Sequence, residues 1–227
     1  MKLLTEDDKH KEMLITIPKI CRKLNRYPDI IPCKVNFYII MPIDKHNTIF
    51  LNKELEIKSA TENILSDEIL TNYINASYIM GPLPDDKDLF IATQGPVTYT
   101  IEAFWKMILI KNIKLIIMLT NLKEENRSKC ELYWPSSDDS PINYGNYKIY
   151  LETEVIILDK AIIQRNFVIE NQSENIKHNC TQLQVICWED HSAPQEELGF
   201  KMIEMIFSYV DDERNQNKNS PVVVHCR

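Results

Sequence analysis

Residues 221–226 read Pro-Val-Val-Val-His-Cys, PVVVHC. Three consecutive valines opened by a proline form a short, wholly apolar run, the pattern of a buried strand rather than one with a wet face. In open sheets, ligands bind beyond the carboxyl ends of such strands. Cys226 stands at that edge, directly after His225. A thiol there becomes a nucleophile when backbone N–H groups face it, because those dipoles favour thiolate and bind phosphate. An ordinary buried cysteine would give the same dipeptide, so these two residues leave both readings open.

Working outward, KLIIMLT at 114–120 reads as a second buried strand. YKIYLETEVIIL and RNFVIE alternate apolar with polar residues and read as half-buried antiparallel strands. Helical spacing occurs near residues 6–24 and over Phe104–Ile110, the latter after the threonine-rich entry of Thr98 and Thr100. From Leu198 it continues through Met202, Met205, Ile206, Tyr209 and Val210 into the charged stretch DDERNQNKN. This mixed order predicts an α/β (α+β) domain built on one large twisted mixed sheet flanked by helices, not a strict doubly wound fold. Without an internal repeat or a Pro/Gly/Ser linker, residues 1–227 are expected to form one domain.

Composition agrees with a globule: 44% of residues are hydrophobic, 26% are charged, and 4 glycines exclude collagen-like or linker-like chains. A net charge of -7 disfavours a nucleic-acid or anionic-membrane surface, since both reward a basic face. The start MKLLTEDDKHK has too short an apolar patch for a signal peptide, and no apolar run has the length of a membrane span. The six cysteines show neither CxxC pairs nor Cys/His ligand spacing. They predict reduced thiols in a cytoplasmic setting, or in the cytoplasmic portion of a receptor if the chain is a fragment.

A further chemical signal is Trp188-Glu189-Asp190-His191-Ser192-Ala193-Pro194, a polar, proline-terminated loop between a strand and the third helix. A carboxyl beside a large aromatic can hold its proton at working pH and give it to a leaving oxygen. A solvated acidic turn capping the helix would look the same.

Seven separated segments, in one order, decide between these readings. They are NRYPDI at 25–30, NYINASYI at 72–79, FIATQGP at 90–96, FWKM at 104–107, KCELYWP at 129–135, the WED loop at 188–190, and PVVVHC. In these the chain resembles the catalytic domain of the tyrosine-specific protein phosphatases, over about residues 20–226. The resemblance implies hydrolysis of phosphotyrosine in proteins, with no metal and no cofactor. Cys226 would be the nucleophile that forms a phosphocysteine, His225 the neighbour that helps depress its pKa, and Asp190 the general acid beside Trp188. Tyr27 would line a deep phosphotyrosine slot, with Asp29 holding the substrate backbone and Ile30 packing beside it. Glu124 and Lys129 would form the loop that meets the phosphate-loop arginine and the acid loop, and Gln94 would support the site. NYINAS and FWKM look structural, with Tyr73 and Trp105 expected to be buried and Cys130 to be a core thiol.

Two departures stand out. Where the family has Trp-Pro-Asp and a following glycine, this chain has Glu189 and Ser192. Losing a residue that fixes φ and adding a carboxyl beside Asp190 should alter loop closure, raise the acid's pKa and slow turnover. The family continues past its cysteine with a serine, small residues, glycines, a phosphate-binding arginine and several helices. Only Arg227 follows Cys226 here, so the 227-residue chain is expected to lack the phosphate loop and the C-terminal helices, and to be inactive as it stands. The alternative is a non-catalytic module that binds phosphotyrosine or another partner through the same fold.

Overall fold

The structure is a computed structural model that describes residues 24–27, 48–50, 73–79, 89–124, 126–188, 192–194, 196–218 and 220–227. Among the described residues, nine strands form one mixed sheet. Along the chain these are β1 (Thr48–Phe50), β2 (Tyr73–Ile79), β3 (Phe90–Thr93), β4 (Leu115–Met118), β7 (Ile142–Tyr144), β8 (Tyr147–Ile157), β9 (Ile162–Asn171), β10 (Ile176–Val185) and β11 (Val222–His225). A small separate hairpin pairs β5 (Lys123–Glu124) with β6 (Arg127–Ser128). The spatial order β1-β2-β3-β11-β4-β10-β9-β8-β7 puts the PVVVHC strand near the middle.

That strand runs parallel to β3 on one side and to β4 on the other, and β4 is parallel to β10. The remaining pairs are antiparallel. Because β3, β4, β10 and β11 point the same way, the segments that leave them emerge at one edge. These segments hold Gln94, Leu119, Trp188 and Cys226. The LIIM of β4 is buried along its whole length, as expected of a strand covered on both faces.

One face carries α1 (Ile101–Ile110), whose Phe104, Trp105 and Ile108 recur at helical spacing and are fully buried. The helix stops where Asn112 takes φ 54, with Asn112 N–H donating to Leu109 O and Ile113 N–H to Ile108 O. This Schellman arrangement uses one of the few non-glycine residues at home in the left-handed region. Tyr133 and Trp134 pack with the helix over Ile116, Met118, Val223 and Phe167. The opposite face carries α2 (Glu196–Gln216), whose Met202 and Val210 cover Leu115, Ile117, Leu183 and Val222.

The expected strands at 114–120, 147–158, 165–170 and 222–224 and the helices at 104–110 and from Leu198 are all present; α2 also takes in most of DDERNQNKN. Nearly all of the helix read near 6–24 lies outside the described residues, and Tyr73 is described only as part of its strand. The strand expected before the Trp188 loop is present as β10; its bounds were not legible, because Lys177, His178, Asn179, Thr181, Gln182 and Gln184 make it look polar. No helix among the described residues is long and apolar enough to cross a membrane.

Candidate active site

Cys226 leaves the sheet one residue past β11 and is exposed, whereas Cys130 and Cys180 are buried and Cys187 is half-buried. All four are free thiols. Burial pushes the Cys130 thiol up to about 12 and the Cys180 thiol higher still, so neither ionises near neutral pH. The Cys226 thiol donates to Leu119 O at 3.6 Å, while Leu119 N–H donates to His225 O at 2.8 Å, so the β4–β11 ladder holds the cysteine's root.

Its carbonyl is held from two sides. At Gly95, in the TQGP turn after β3, an added Cβ would lie 2.7 Å from Cys226 O and 3.0 Å from Cys130 Sγ. Only glycine admits this approach without moving the cysteine backbone. From the other side His225 donates from Nδ1 to Cys226 O at 3.0 Å and accepts at Nε2 from the Tyr133 hydroxyl at 2.9 Å. Tyr133 in turn accepts from Gln182 Nε2 at 2.6 Å.

The His225 ring is 1% exposed, with Phe104 and Tyr133 packed edge-on against it. Burial lowers its pKa to about 4, the hydrogen bond with the Cys226 backbone raises it, and the Arg26 charge lowers it further. The imidazole is therefore neutral at pH 7 and bonds the cysteine's carbonyl, so it acts on the thiol through orientation and not as a neighbouring cation. A histidine held below its unfolded pKa stabilises the fold above about pH 6.5 and loses that contribution as pH falls toward 4. Between pH 7 and pH 4.5 the folded protein should lose about 2–3 kcal/mol through this group. Denaturant unfolding of wild type and His225→Gln at both pH values checks this: the variant's pH dependence should be flatter by that amount.

The Gln94 amide bonds the backbone of residues 24–26. Its Oε1 accepts from Arg26 N at 2.9 Å and its Nε2 donates to Leu24 O at 2.7 Å. The amide thus clamps residues 24–26 onto the end of β3, and the Arg26 guanidinium donates to Pro96 O at 3.4 Å. Tyr27 follows this clamped segment at 41% exposure, with the Arg227 guanidinium 5.8 Å from its ring centre. The aromatic read as lining the slot and the cysteine end of β11 are therefore neighbours in space, although they stand near opposite ends of the chain.

Glu124 and Lys129 sit on and just after the β5–β6 hairpin and form an ion pair at 3.5 Å, with Lys129 only 7% exposed. Lys129 N–H donates to Leu122 O at 2.8 Å, and the next residue, Cys130, packs under Gly95. Trp188 is half-buried and its Nε1 donates to Ser192 O at 2.8 Å, bracketing the loop between them. Asp190, Asp29 and Ile30 lie outside the described residues. The structure thus gathers Cys226, His225, Tyr27 and Gln94 around one edge. It also adds Gly95, Tyr133 and Gln182, for which reading along the chain found no role. The signal for Gln182 is a wholly buried amide, visible only once β10 is placed.

The family model described as protein-tyrosine phosphatase matches residues 22–227. Tyrosine-protein phosphatase 2 of Dictyostelium discoideum is 37% identical over 157 residues, covering 69% of this chain and 38% of that protein. The human receptor-type tyrosine-protein phosphatase alpha is 33% identical over 204 residues, covering 90% of this chain and 22% of that protein. Among solved structures, PTPN18 in complex with HER2-pY1196 phosphor-peptides superposes with a TM-score of 0.70 at 25% identity, covering 95% of this chain and 65% of that one. The chain therefore spans well under half the length of the two curated relatives. On the family match and the shared fold, this chain belongs to the protein-tyrosine phosphatase family.

Proposed function

We propose that the domain hydrolyses phosphotyrosine in proteins through a phosphocysteine on Cys226. The observation that carries this reading is the exposed thiol at the carboxyl end of the central parallel strand, with Tyr27 against the next residue, Arg227, in a chain of this family. The Cys226 thiolate attacks phosphorus as the bond to the tyrosine oxygen breaks, and Asp190 gives that oxygen its proton. The Asp190 carboxylate then takes a proton from water, whose oxygen displaces sulfur from phosphorus. Inorganic phosphate leaves and the thiolate is restored. Tyr27, Asp29 and Ile30 bind the substrate tyrosine and its backbone, and a deep slot favours phosphotyrosine over the shorter phosphoserine. Glu124, Lys129, Gln94 and Trp188 hold the surrounding loops. The setting is cytoplasmic.

The test is a pH–rate profile on a phosphotyrosine peptide, using the longest form of the protein that its cells produce. Asp190→Asn should lose the basic limb and roughly a hundredfold to ten-thousandfold in kcat. Glu189→Pro should move the basic limb to lower pH, because removing a like charge lowers the acid's pKa. Peptide binding with no hydrolysis at any pH would instead indicate a phosphotyrosine-binding module.

A further inference from the structure

Glu154, Arg165 and Gln182 are register partners across β8, β9 and β10. Arg165 is 5% exposed, its guanidinium lies 4.5 Å from the Trp134 ring centre, and its Nε donates to Glu154 Oε2 at 2.5 Å. Its remaining reach is inward: Nη1 donates to Gln182 Oε1 and to Gln184 Oε1, both at 2.8 Å. A guanidinium has donors and no acceptor, so both glutamine oxygens must face it and both amide nitrogens must face away. Gln184 Nε2 then donates to Thr120 O at 3.1 Å, and Gln182 Nε2 donates to the Tyr133 hydroxyl oxygen at 2.6 Å. The Tyr133 proton goes to His225 Nε2 at 2.9 Å in preference to the weaker acceptor Met118 Sδ at 4.0 Å, which places the ring proton on Nδ1, toward Cys226 O.

We infer that Gln182, oriented by Arg165, is a positioning residue that sets the direction of this buried hydrogen-bond chain and thereby the carbonyl of the cysteine at the end of β11. Reversing the chain would turn the Gln182 amide nitrogen onto a guanidinium, leaving like dipoles opposed in a dry interior where such a mismatch is costly. The ion pair on the outer strands thus selects the His225 tautomer through the intervening groups. Its consequence for catalysis rests on the reading of Cys226 as the reacting thiol. Its test does not.

Nitrogen-15 spectra of histidine-labelled full-length protein report the tautomer directly. Wild-type His225 should carry its proton on Nδ1 with Nε2 bare. Gln182→Glu keeps the size of the side chain and turns its donor into an acceptor, so Tyr133 should donate to it and Nε2 of His225 should become protonated. Alkylation of Cys226 by iodoacetamide, read at that residue by mass spectrometry, should change by about two- to tenfold, the range of one net hydrogen bond. If Gln182→Glu does not fold, the wild-type tautomer decides. A proton on Nε2 in wild type, or an Nε2 that stays bare in folded Gln182→Glu, overturns the inference. A role confined to packing would lower stability without moving the proton.

Discussion

Replacing Cys226 with serine is expected to abolish phosphotyrosine hydrolysis in the longest form of the protein while leaving peptide binding largely intact. Among the described residues a serine hydroxyl at this position meets no free base: His225 is neutral, but both its ring nitrogens are committed, to Tyr133 and to the Cys226 carbonyl. Cysteine ionises within reach of neutral pH and is the stronger nucleophile, whereas an unactivated serine is not. Losing the nucleophile of a covalent mechanism costs on the order of 10⁶ in kcat where it has been measured. Because sulfur and oxygen differ little in size and Cys226 is exposed, the fold should be unaffected. Steady-state hydrolysis together with peptide binding by calorimetry separates the two effects.

The largest expected effect on stability is at Trp105. Its ring is fully buried between Phe104, Tyr133 and Phe167, with ring centres 5.9, 5.7 and 5.6 Å away, and its Nε1 donates to Tyr133 O at 2.8 Å. Trp105→Ala should cost about 3–5 kcal/mol from lost burial and the cavity left behind. The Tyr133 carbonyl would also lose its donor, adding about 1–3 kcal/mol. Against a typical net stability of about 5–15 kcal/mol, this should leave a substantial unfolded fraction. Urea unfolding followed by tyrosine fluorescence and circular dichroism measures it, with Trp105→Phe expected to lose less. Since Tyr133 also serves His225, the variant should disturb the cysteine edge as well.

The sequence carried most of this architecture wherever side-chain chemistry matched position. The valines of β11 and the LIIM of β4 announced buried parallel strands, and the spacing of Phe104 and Trp105 announced a helix. The extent of β10 was not legible for a physical reason: its glutamines and histidine are satisfied by Arg165, Tyr133, Thr120 and the Ile113 carbonyl, partners distant in sequence. At the site, motif order singled out Cys226 and Tyr27, but not how they are held. The carbonyl of Cys226 is fixed by Gly95 and His225, and Gln94 clamps the backbone before Tyr27; both depend on strand neighbours that spacing along the chain does not reveal.

The most direct test of the central claim is to quench the longest form of the protein with acid during turnover of a phosphotyrosine peptide and map the phosphate by mass spectrometry. Phosphate on Cys226, absent from the Cys226→Ser variant, is the predicted result. Sustained hydrolysis with no phosphorylated Cys226, or hydrolysis undiminished in Cys226→Ser, would contradict it.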